Sequence, residues 1–568
     1  MKLTGAEIVT ECLIEQGVDV VFGYPGGAVI PIYDALYDRM DKIKHVLTAH
    51  EQGASHAADG YARVTQKTGV CIATSGPGAT NLVTGIATAY MDSSPMVAIT
   101  GNVSTDLLGK DSFQEVDIMG ITMPITKHNY QVTKTCDIAQ TIREAFVIAK
   151  TGRPGPVLID ITKDALMQSW EFETGIPGER LRELKVSLGI DKDNPKVLNR
   201  INESIDKAVE LIQNSQRPAV YAGGGIVTSG AQKELLEFVE KIQAPVSCSL
   251  MGTGAFPCDH ELYAGMVGMH GTKTSNMAFT ECDLLVVLGA RFSDRVTGKA
   301  DLFAKGAKIL HIDIDLAEVN KNISVHHYVI DDVKSVLTEL NNKLEYLDHK
   351  QWLDTIRTWK NEDKSFTPAN HIPREILKQL RNLFDQEAVI VTDVGQHQMW
   401  TAQYFSFRKN DVFVTSGGLG TMGFGLGASI GSQVGSKTKK VILVTGDGSF
   451  RMNLNELATV ARFNLPITII LMDNNALGMV RQWQDLFYNK RFSQTILPEV
   501  DFCAVAKAFG IDAYSLDNLQ SFTDVFNKTK DSGKPVLIRC KINPETMVLP
   551  MVPPGKALDK ILMTKSPV

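Results

Sequence analysis

Short runs of β-branched residues alternate with helical patterns in the first part of this chain. The runs "VCIAT", "MVAIT" and "VLIDI" are separated by segments in which apolar residues recur at helical spacing. This alternation is typical of βαβ units, whose strands form a parallel sheet covered by helices. The pattern returns around "PAVYAGGG", "LLVVLGA" and "KILHIDID", and again around "KVILVTG". The sequence therefore predicts an α/β protein made of three doubly wound parallel-sheet domains.

Polar stretches without periodicity separate the three regions. Residues 173–195 indicate a linker, and a charged helical stretch over residues 348–365 leads into the third region. The boundaries that we predict are residues 1–170 for the first domain, 190–347 for the second, 365–545 for the third and 546–568 for a C-terminal tail. A chain of 568 residues is long enough for several domains of ordinary size.

The composition argues against several classes of protein. A hydrophobic content of 44% and a net charge of -6 are ordinary for globular proteins and offer no basic surface for nucleic acid or an anionic membrane. The eight cysteines are scattered without a CxxC pair, so neither a disulfide framework nor a zinc site is indicated. No apolar run approaches the roughly 18 residues of a membrane span, and the N-terminus lacks a targeting pattern. We expect a soluble, cytoplasmic protein with no nucleic-acid or membrane partner.

Two distant segments share one order of features. Residues 69–102 and 440–475 both contain a strand, a Gly-rich turn, a helix, a proline and a second strand with a polar end. The first and third domains are therefore expected to be related to each other. In such sheets, ligands bind beyond the carboxyl ends of the strands, and both Gly-rich turns are predicted to lie there.

Asp447 and Asn474 follow two successive predicted strands of the third domain. The sequence "GDGS" by itself is typical of a tight turn. A second polar strand end, one βαβ step later, supplies further oxygen ligands for a small hard cation. The glycines and the helix N-terminus that follows suit a phosphate group. The combination predicts a site for Mg²⁺ and a diphosphate.

Together, "GDG" and "NN" at the ends of neighbouring strands resemble the signature of the thiamin diphosphate enzymes. Within these enzymes, the chain resembles the acetohydroxyacid synthase (acetolactate synthase) large-subunit family along essentially its whole length. The segments that carry the resemblance include "GYPGGA", "TAHEQGASHAADGYAR", "SGPGATN", "GRPGPVLIDITKD", "GMHGT", "GQHQMW", "GGLGTMGFGL", "LGMVRQWQ" and "VLPMVPPG".

The resemblance implies a set of cofactor contacts. Mg²⁺ would be bound by Asp447, Asn474 and the main-chain carbonyl of Ala476. The residues expected to contact thiamin diphosphate are Glu51, Gln396, His397, Gly420, Met422, Gly448, Ser449 and Met479. Met422 would bend the cofactor, although a methionine by itself is more typical of a core.

Glu51 would be the main catalytic residue. Its buried carboxyl group would hydrogen-bond the pyrimidine ring of the cofactor and promote loss of the thiazolium proton, because burial raises the pKa of a carboxyl group. Without the resemblance, a glutamate between a strand and a helix is more typical of a helix-start carboxylate. Gly27, Gln114 and Lys163 are further residues that the resemblance places at the catalytic site.

The implied reaction is decarboxylation of pyruvate and condensation of the hydroxyethyl unit with a second pyruvate or with 2-oxobutyrate. Arg295 would bind the carboxylate of the second substrate, since a guanidinium group matches that geometry. Trp483, Met479, Val394 and Phe113 would shape the pocket for its alkyl group. Because Glu51 and Asp447 meet across a subunit interface in this family, a homodimer or a tetramer is implied, together with a small regulatory subunit.

The middle domain contains "AVYAGGGIVTSG", which is not a GxGxxG motif and by itself gives little support for a dinucleotide site. The resemblance implies FAD that takes no net redox part. The expected contacts are Arg153, Gly223, Gly224, Gly225, Met269, His270, Arg291, Asp313 and Asp331. The chain departs from the family pattern at Ser293, where an aspartate is common.

Alternative functions remain open on the sequence. A catabolic acetolactate synthase without FAD is the nearest alternative, but "GMHGT", "RFSDR" and the "PMVPPG" tail disfavour it. In a pyruvate oxidase, FAD would be reduced during turnover. A non-catalytic cofactor-binding or regulatory protein is disfavoured because Glu51, Asp447 and Asn474 are all present.

Overall fold

The structure is a computed structural model. It describes residues 1–175, 183–184, 186, 195–366, 372–384, 386–516 and 518–564. Most of the predicted linker and the last four residues of the predicted tail lie outside the described residues, as does residue 190, the predicted start of the second domain.

Three six-stranded parallel sheets form the body of the protein, which confirms the predicted fold class. The first sheet contains, in spatial order, Lys44–Leu47, Val20–Gly23, Gly69–Ala73, Met96–Asn102, Pro156–Thr162 and His128–Val132. The second contains Tyr263–Met266, Val246–Cys248, Pro218–Ala222, Leu284–Leu288, Lys308–Asp313 and His327–Ile330. The third contains Val412–Val414, Ala388–Thr392, Lys440–Gly446, Thr468–Asp473, Val536–Lys541 and Asp512–Leu516.

The strand order separates the middle sheet from the other two. When the strands of each sheet are numbered along the chain, the first and third sheets both have the order 2-1-3-4-6-5, and the middle sheet has 3-2-1-4-5-6. The shared order confirms that the first and third domains are related. The order of the middle sheet is that of the dinucleotide-binding fold, which the glycine motif alone did not predict.

Helices cover both faces of each sheet, so the strands are apolar along nearly their whole length. In Leu284–Leu288, for example, all five residues are buried. The helices of the first domain are Gly5–Glu15, Ile30–Tyr37, Glu51–Thr65, Pro77–Asn81, Val83–Asp92, Ile118–Thr122, Thr135–Lys150 and Lys163–Met167. Those around the second sheet are Pro195–Gln213, Gly224–Ser229, Gln232–Ile242, Lys273–Glu281, Asp294–Thr297, Val333–Lys343 and Lys350–Ser365. Those of the third domain are Ile372–Leu383, Gln396–Tyr404, Phe424–Gly435, Asp447–Asn453, Leu457–Arg462, Gly478–Phe487, Phe502–Ala508 and Leu519–Thr529.

Smaller elements complete the fold. Lys2–Thr4 pairs antiparallel with Ser169–Glu171 and ties the two ends of the first domain together. The short 3-10 helices are Thr105–Leu107, Met123–Ile125, Leu250–Gly252, Ala300–Leu302, Leu316–Glu318 and Leu454–Glu456. Among the described residues, no helix combines the length and the apolar character that a membrane crossing requires.

One helix crossing joins the first and third domains. The helices Glu51–Thr65 and Phe424–Gly435 approach so closely that a Cβ atom on Gly431 would overlap the carbonyl oxygen of Ala57. A Cβ atom on Gly60 would likewise overlap the carbonyl oxygen of Ala428. Glycine is required at both positions because any side chain would separate the two backbones. The crossing fixes the position of the helix that begins at Glu51.

The chain beyond the last strand bridges the third and middle domains. The Val552 N–H donates to the Met269 carbonyl over 2.7 Å, and the Lys299 N–H donates to the Lys556 carbonyl over 3.0 Å. Gln482 Nε2 of the third domain donates to the Val548 carbonyl over 3.1 Å, so residues 546–564 lie against both domains.

We expect Gly431→Ala to destabilise the protein, because the added methyl group must push the crossing helices apart. Overpacking of this kind typically costs about 1–3 kcal/mol. The thermal unfolding midpoint should fall relative to that of the parent chain. In the matched control Gly306→Ala, the Cβ atom meets no atom within 4 Å, and the midpoint should stay unchanged. Equal midpoints for the two variants would contradict the packing argument.

Candidate active site

Asp447 and Asn474 lie side by side at the carboxyl edge of the third sheet, where the sequence predicts a cation site. They follow the paired strands Lys440–Gly446 and Thr468–Asp473, and the Asn474 N–H donates to Asp447 Oδ1 over 3.4 Å. Parallel pairing brings the ends of both strands to one edge. The two predicted ligands are therefore neighbours in space.

The Asp447 carboxylate is buried and only weakly paired. The side chain is 1% exposed. Its Oδ2 atom accepts no hydrogen bond within the described part of the chain, and Arg451 Nη2 lies 3.9 Å from it. Burial, with a smaller contribution from the charge of Asp473, raises the pKa of Asp447 to about 7. A buried carboxylate oxygen without a partner is costly unless a cation or a proton binds it. The donor set fits a small divalent cation.

Gln396 follows the neighbouring strand Ala388–Thr392 and is hydrogen-bonded to Asn474 of this pair. It is the first residue of the helix Gln396–Tyr404, and its Oε1 atom accepts from Asn474 Nδ2 over 3.2 Å. A Cβ atom on Gly478 would overlap Gln396 Oε1, so glycine is needed there for this contact. His397 lies beside it, and its Nε2 atom has no hydrogen-bond partner among the described residues. Burial lowers the pKa of His397 to about 3, so the ring is neutral.

Gly448, Ser449 and Met422 lead from this edge towards the interior. Ser449 Oγ donates to the Val394 carbonyl over 2.7 Å. A Cβ atom on Gly448 would come within 2.8 Å of Leu477 Cδ2 and 3.8 Å of Met422 Cε. Gly420 has a φ of 71°, which only glycine adopts readily. Glycine at position 448 therefore lets the Leu477 side chain pack against the backbone.

A cavity of about 1760 Å³ is lined by residues of all three domains. Its lining includes thirteen of the predicted site residues. They are Arg153, Gly224, Gly225, Met269, His270, Arg291, Arg295, Asp313, Val394, Gly420, Met422, Met479 and Trp483. The structure thus brings most of the predicted flavin contacts into one space with Arg295, Trp483, Met479 and Val394 of the predicted acceptor pocket. That volume can hold a ligand of dinucleotide size in addition to a small substrate.

The glycines that follow the first strand of the middle sheet allow a close backbone approach. Gly223 and Gly225 pack against Gly289 at the end of the neighbouring strand, where either would clash if it carried a Cβ atom. Gly224 lines the cavity, and Gly223 does not. The turn lies at the point where the strand order reverses, which is where dinucleotides bind in this fold. The residues present fit a dinucleotide.

Three charged residues predicted to contact flavin differ in their placement. Arg153 Nη1 donates to Glu318 Oε1 over 2.8 Å, and Arg291 Nη2 donates to the Met91 carbonyl over 2.8 Å. Asp331 accepts from the N–H of Asp332 at the end of the last strand, and it is Asp332 that lines the cavity. The predicted contact is thus one residue away from the cavity wall.

Arg295 of the middle domain and Trp483 of the third domain meet at the cavity wall. The guanidinium carbon lies 5.8 Å from the centre of the Trp483 ring, within the range of a cation–π contact. Arg295 also lies close enough to His270 to help burial lower the pKa of His270 to about 4. The Arg295 side chain remains 61% exposed, and its Nη1 atom lies 3.6 Å from the exposed Asp294 carboxylate. An anionic ligand at the cavity can therefore reach the guanidinium group in competition with Asp294.

Within one chain, the predicted catalytic and substrate-binding residues of the first domain lie apart from this cavity. Among the described lining residues, Arg153 is the only predicted site residue that comes from the first domain. Gly27, Phe113 and Lys163 are exposed, and Phe113 is 88% exposed. Gln114 has a φ of 60° and is half-buried. All four follow strands of the first sheet at its carboxyl edge.

Glu51 occupies the start of its helix, and Asn81 Nδ2 donates to its Oε2 atom over 3.0 Å. The sequence predicts a buried carboxyl group, whereas Glu51 is half-buried in the single chain. The difference arises because the carboxyl edge of the first sheet faces outward from the chain.

Two buried polar residues at the site were not predicted from the sequence. Glu456, which is fully buried, accepts from the N–H groups of Ala49 and His50, immediately before Glu51. Gln482 links Gln396 to the main chain of Val548. Neither has a local sequence signal, since the partners of Glu456 lie more than 400 residues away. In the segment "RQWQ", which contains Gln482, only the tryptophan was predicted to have a role in the site.

Comparison with known proteins agrees with this geometry. Family models match residues 3–121 (thiamine pyrophosphate enzyme, N-terminal TPP binding domain), 205–340 (central domain) and 393–540 (C-terminal TPP binding domain). The chain is 46% identical to the "Probable acetolactate synthase large subunit" of Methanocaldococcus jannaschii, over 99% of this chain and 95% of that protein. It is 44% identical to the acetolactate synthase isozyme 2 large subunit of Escherichia coli, over 99% of each. It is 42% identical to the acetolactate synthase large subunit of Lactococcus lactis, over 98% of this chain and 96% of that protein.

The three domain models match in the expected order, and the relatives align with the chain from end to end. Both findings support the same family. The chain belongs to the acetolactate synthase large-subunit family of the thiamine pyrophosphate enzymes.

Proposed function

We propose that this protein condenses two molecules of pyruvate to 2-acetolactate with release of carbon dioxide, and pyruvate with 2-oxobutyrate to 2-aceto-2-hydroxybutyrate. These are first steps in the synthesis of branched-chain amino acids. The observation that carries the proposal is the buried Asp447–Asn474 pair beside a cavity in which Arg295 meets Trp483. A cation–phosphate anchor next to an apolar pocket with one guanidinium group suits a 2-oxoacid that reacts on a phosphorylated cofactor.

The proposed cofactor site uses residues of the third domain. Asp447, Asn474 and the Ala476 carbonyl would bind Mg²⁺, and the Gly448 backbone and His397 would face the diphosphate. The buried Asp447 Oδ2 and His397 Nε2 atoms, which have no hydrogen-bond partner among the described residues, support this assignment. Thiamin diphosphate, when bound, supplies a nucleophilic carbon and an electron sink for the loss of carbon dioxide from a 2-oxoacid. Met422 would support the cofactor from its apolar side.

Glu51 would hold a proton against the pyrimidine ring of the cofactor. Its helix is fixed by the crossing with Phe424–Gly435, and Asn81 orients its carboxyl group. A positioned acid-base group of this kind is worth about 10²- to 10⁴-fold in rate. Gly27, Phe113, Gln114 and Lys163 would complete the same wall of the site.

We propose that two chains form each active site. The exposure of Phe113 and Lys163 at the carboxyl edge of the first sheet supports this arrangement, because it leaves both side chains accessible to a second chain. The first domain of one chain would then close the cofactor site of its partner. A homodimer is the smallest assembly that the proposal requires.

At the acceptor end, Arg295 would bind the carboxylate of the second 2-oxoacid, and Trp483 would contact its alkyl group. Met479 and Val394 line the same cavity. An aromatic ring offers a large rigid contact surface to a small alkyl group.

FAD is the proposed occupant of the part of the cavity that the middle domain lines. The 3-2-1-4-5-6 strand order, and the closely packed glycines at its reversal point, support a dinucleotide there. Arg153 and Arg291 would face its polar groups, as would Asp313. Ser293 caps the helix Asp294–Thr297, where relatives often have aspartate, and both residue types can fill that role.

The proposed partners include a small regulatory subunit, because the relatives are named as large subunits. All eight cysteines of the chain are free, which favours a reducing, cytoplasmic compartment.

One assay tests the function and its alternatives. The purified chain is incubated with pyruvate, and thiamin diphosphate, Mg²⁺ and FAD are each omitted in turn. Acetolactate should form only with thiamin diphosphate and Mg²⁺ present, and the purified protein should be yellow. A colourless active enzyme would indicate the catabolic type, and bleaching of flavin by pyruvate at the turnover rate would indicate an oxidase. No product in the complete mixture would contradict the proposal.

We predict that Glu51→Gln keeps cofactor binding and lowers kcat by about 10²- to 10⁴-fold, because the variant removes the proton and leaves the cation–phosphate anchor intact. The measurement combines steady-state kinetics with titration of thiamin diphosphate. Glu203→Gln, on an exposed helical position of the middle domain, is the control and should match the parent chain. A kcat within threefold of that of the parent chain would refute the role of Glu51.

We predict that Asp447→Ala and Asn474→Ala raise the concentrations of Mg²⁺ and thiamin diphosphate needed for half-saturation, because each variant deletes a metal ligand. Calorimetry or fluorescence titration would measure the half-saturation concentrations of Mg²⁺ and thiamin diphosphate. Asp531→Ala, an exposed carboxylate of the same domain, controls for charge. Unchanged affinities in folded variants would show that the cation binds elsewhere.

We predict that the parent enzyme, given both acceptors, forms 2-aceto-2-hydroxybutyrate in excess, and that Trp483→Leu removes most of that excess. An apolar pocket can distinguish one methylene group by about 1–3 kcal/mol, or roughly 10- to 200-fold. Competition assays at several ratios of 2-oxobutyrate to pyruvate give the product ratio. Condensation of pyruvate with itself should survive the substitution. A variant that keeps the parent ratio would reduce Trp483 to a packing residue.

A further inference from the structure

A chain of three carboxamides runs from the C-terminal tail to the predicted metal ligand Asn474. The Val548 N–H donates to Gln482 Oε1 over 2.8 Å, and Gln482 Nε2 donates back to the Val548 carbonyl over 3.1 Å. Gln396 Nε2 donates to the same Gln482 oxygen over 3.0 Å. Asn474 Nδ2 then donates to Gln396 Oε1 over 3.2 Å. All three carboxamides are less than 9% exposed, so water does not compete for these bonds.

The orientation of each carboxamide is dictated by its neighbour. The main chain of Val548 offers one N–H and one carbonyl, so Gln482 can satisfy both only with its oxygen towards the N–H. The Gln482 oxygen, and the Thr546 carbonyl 2.8 Å away, can only accept from Gln396, which turns the Gln396 nitrogen towards them. The Gln396 oxygen therefore faces Asn474 and requires its nitrogen.

This sequence of constraints determines where the Asn474 oxygen points. With its nitrogen bound to Gln396, Asn474 presents Oδ1 on the opposite side, where it accepts from the Ala476 N–H over 3.1 Å. Reversal of any one amide would place two donors or two acceptors face to face, at a cost of the order of 1–3 kcal/mol for a buried group. The positions of the Val548 N–H and carbonyl groups thereby determine which way the Asn474 carboxamide faces.

We propose that Gln482 is a positioning residue that couples docking of the C-terminal tail to cation binding. Its carboxamide holds Gln396, and through it Asn474, in the orientation that offers an oxygen to Mg²⁺, and it does so only while Val548 is docked. The inference rests on the proposed cofactor site. It adds Gln482 and the link between tail docking and cation binding, neither of which follows from the proposed site alone. The same tail contacts the cavity wall through the Val552–Met269 bond, so release of the tail would also open the cavity.

Coupling is reciprocal, and this gives two independent readouts. If the docked tail favours cation binding, bound Mg²⁺ and thiamin diphosphate must favour the docked tail to the same extent. The tail carries Lys556 and Lys560 on exposed positions, where trypsin can cleave when the segment is released. Cleavage at these lysines measures docking without any assay of activity.

The test variant is Gln482→Met, which keeps nearly the same volume and removes both hydrogen-bonding groups. Its matched control is Tyr404→Phe, which removes a bond from the tyrosine hydroxyl to the Leu549 carbonyl of the same tail. Tyr404 ends the helix that Gln396 begins, but its hydroxyl group is not part of the carboxamide chain. A third protein ends at Asn543 and lacks the tail, and a fourth combines this truncation with Gln482→Met. The dissociation constant for Mg²⁺ at saturating thiamin diphosphate is measured by tryptophan fluorescence or calorimetry.

Loss of a residue that orients a metal ligand typically costs 10- to 100-fold in metal affinity, and we expect a change of this size for Gln482→Met. Tyr404→Phe should stay within about twofold of the parent chain, because the tail keeps its other bonds. Truncation should weaken binding, and adding Gln482→Met to it should have no further effect. In the parent chain, the cofactors should slow tryptic cleavage of the tail, and Gln482→Met should abolish that protection. At saturating Mg²⁺ the kcat of Gln482→Met should recover to within about threefold of the parent value.

Equal Mg²⁺ affinity in the parent chain and Gln482→Met would overturn the inference, as would the same loss in Tyr404→Phe. Additive effects of truncation and Gln482→Met would also overturn it, because Gln482 would then act independently of the tail. The proposed function fails by a different result. A parent chain that binds Mg²⁺ and thiamin diphosphate but forms no acetolactate would remove the function and leave the coupling intact.

Discussion

The crossing of the helices Glu51–Thr65 and Phe424–Gly435 determines how the first and third domains are arranged. At this crossing, Gly60 and Gly431 bring two backbones into direct contact, and a single methyl group on either would separate them. The start of the first helix is also held by the Glu456 carboxylate, which accepts from the N–H groups of Ala49 and His50. Glu51 therefore has a fixed position although the carboxyl edge of its own sheet faces outward. The proposed catalysis depends on this rigidity, since a general acid must be held within hydrogen-bond reach of its proton acceptor.

The parallel third sheet determines where the polar residues of the proposed cofactor site come together. Because every strand of the third sheet is parallel, the ends that carry Val394, Asp447 and Asn474 share one edge. Burial raises the pKa of the Asp447 carboxyl group although Arg451 lies 3.9 Å from it, so a bound cation would stabilise the charged form. Burial of this charged carboxylate costs free energy, and a bound cation would reduce that cost. The cavity next to it adds one guanidinium group and one indole ring, which suit an anionic substrate with a small apolar end.

The tail shows how an irregular segment can contribute to a metal site. Residues 544–552 form no regular secondary structure, yet their main-chain groups bind Gln482, Gln396, Arg481, Trp400 and Tyr404. These bonds replace the ladder that a strand would provide. A segment held mainly by side chains can dock and release more readily than a strand in a sheet. This property suits a cover over a site that must admit substrate.

The sequence alone determined the fold class, the relation between the first and third domains and the family of the protein. Strand and helix periods, and Asp447 and Asn474 at two strand ends, are local features, and local features survive in the linear sequence. The tertiary structure decided what depends on distant pairs. It placed Arg295 over Trp483, gave the middle sheet its dinucleotide-binding strand order in spite of an atypical glycine motif, and made Gln482 and Glu456 part of the site. No periodicity or motif encodes such contacts, because their partners are separated by tens to hundreds of residues, and only packing brings them together.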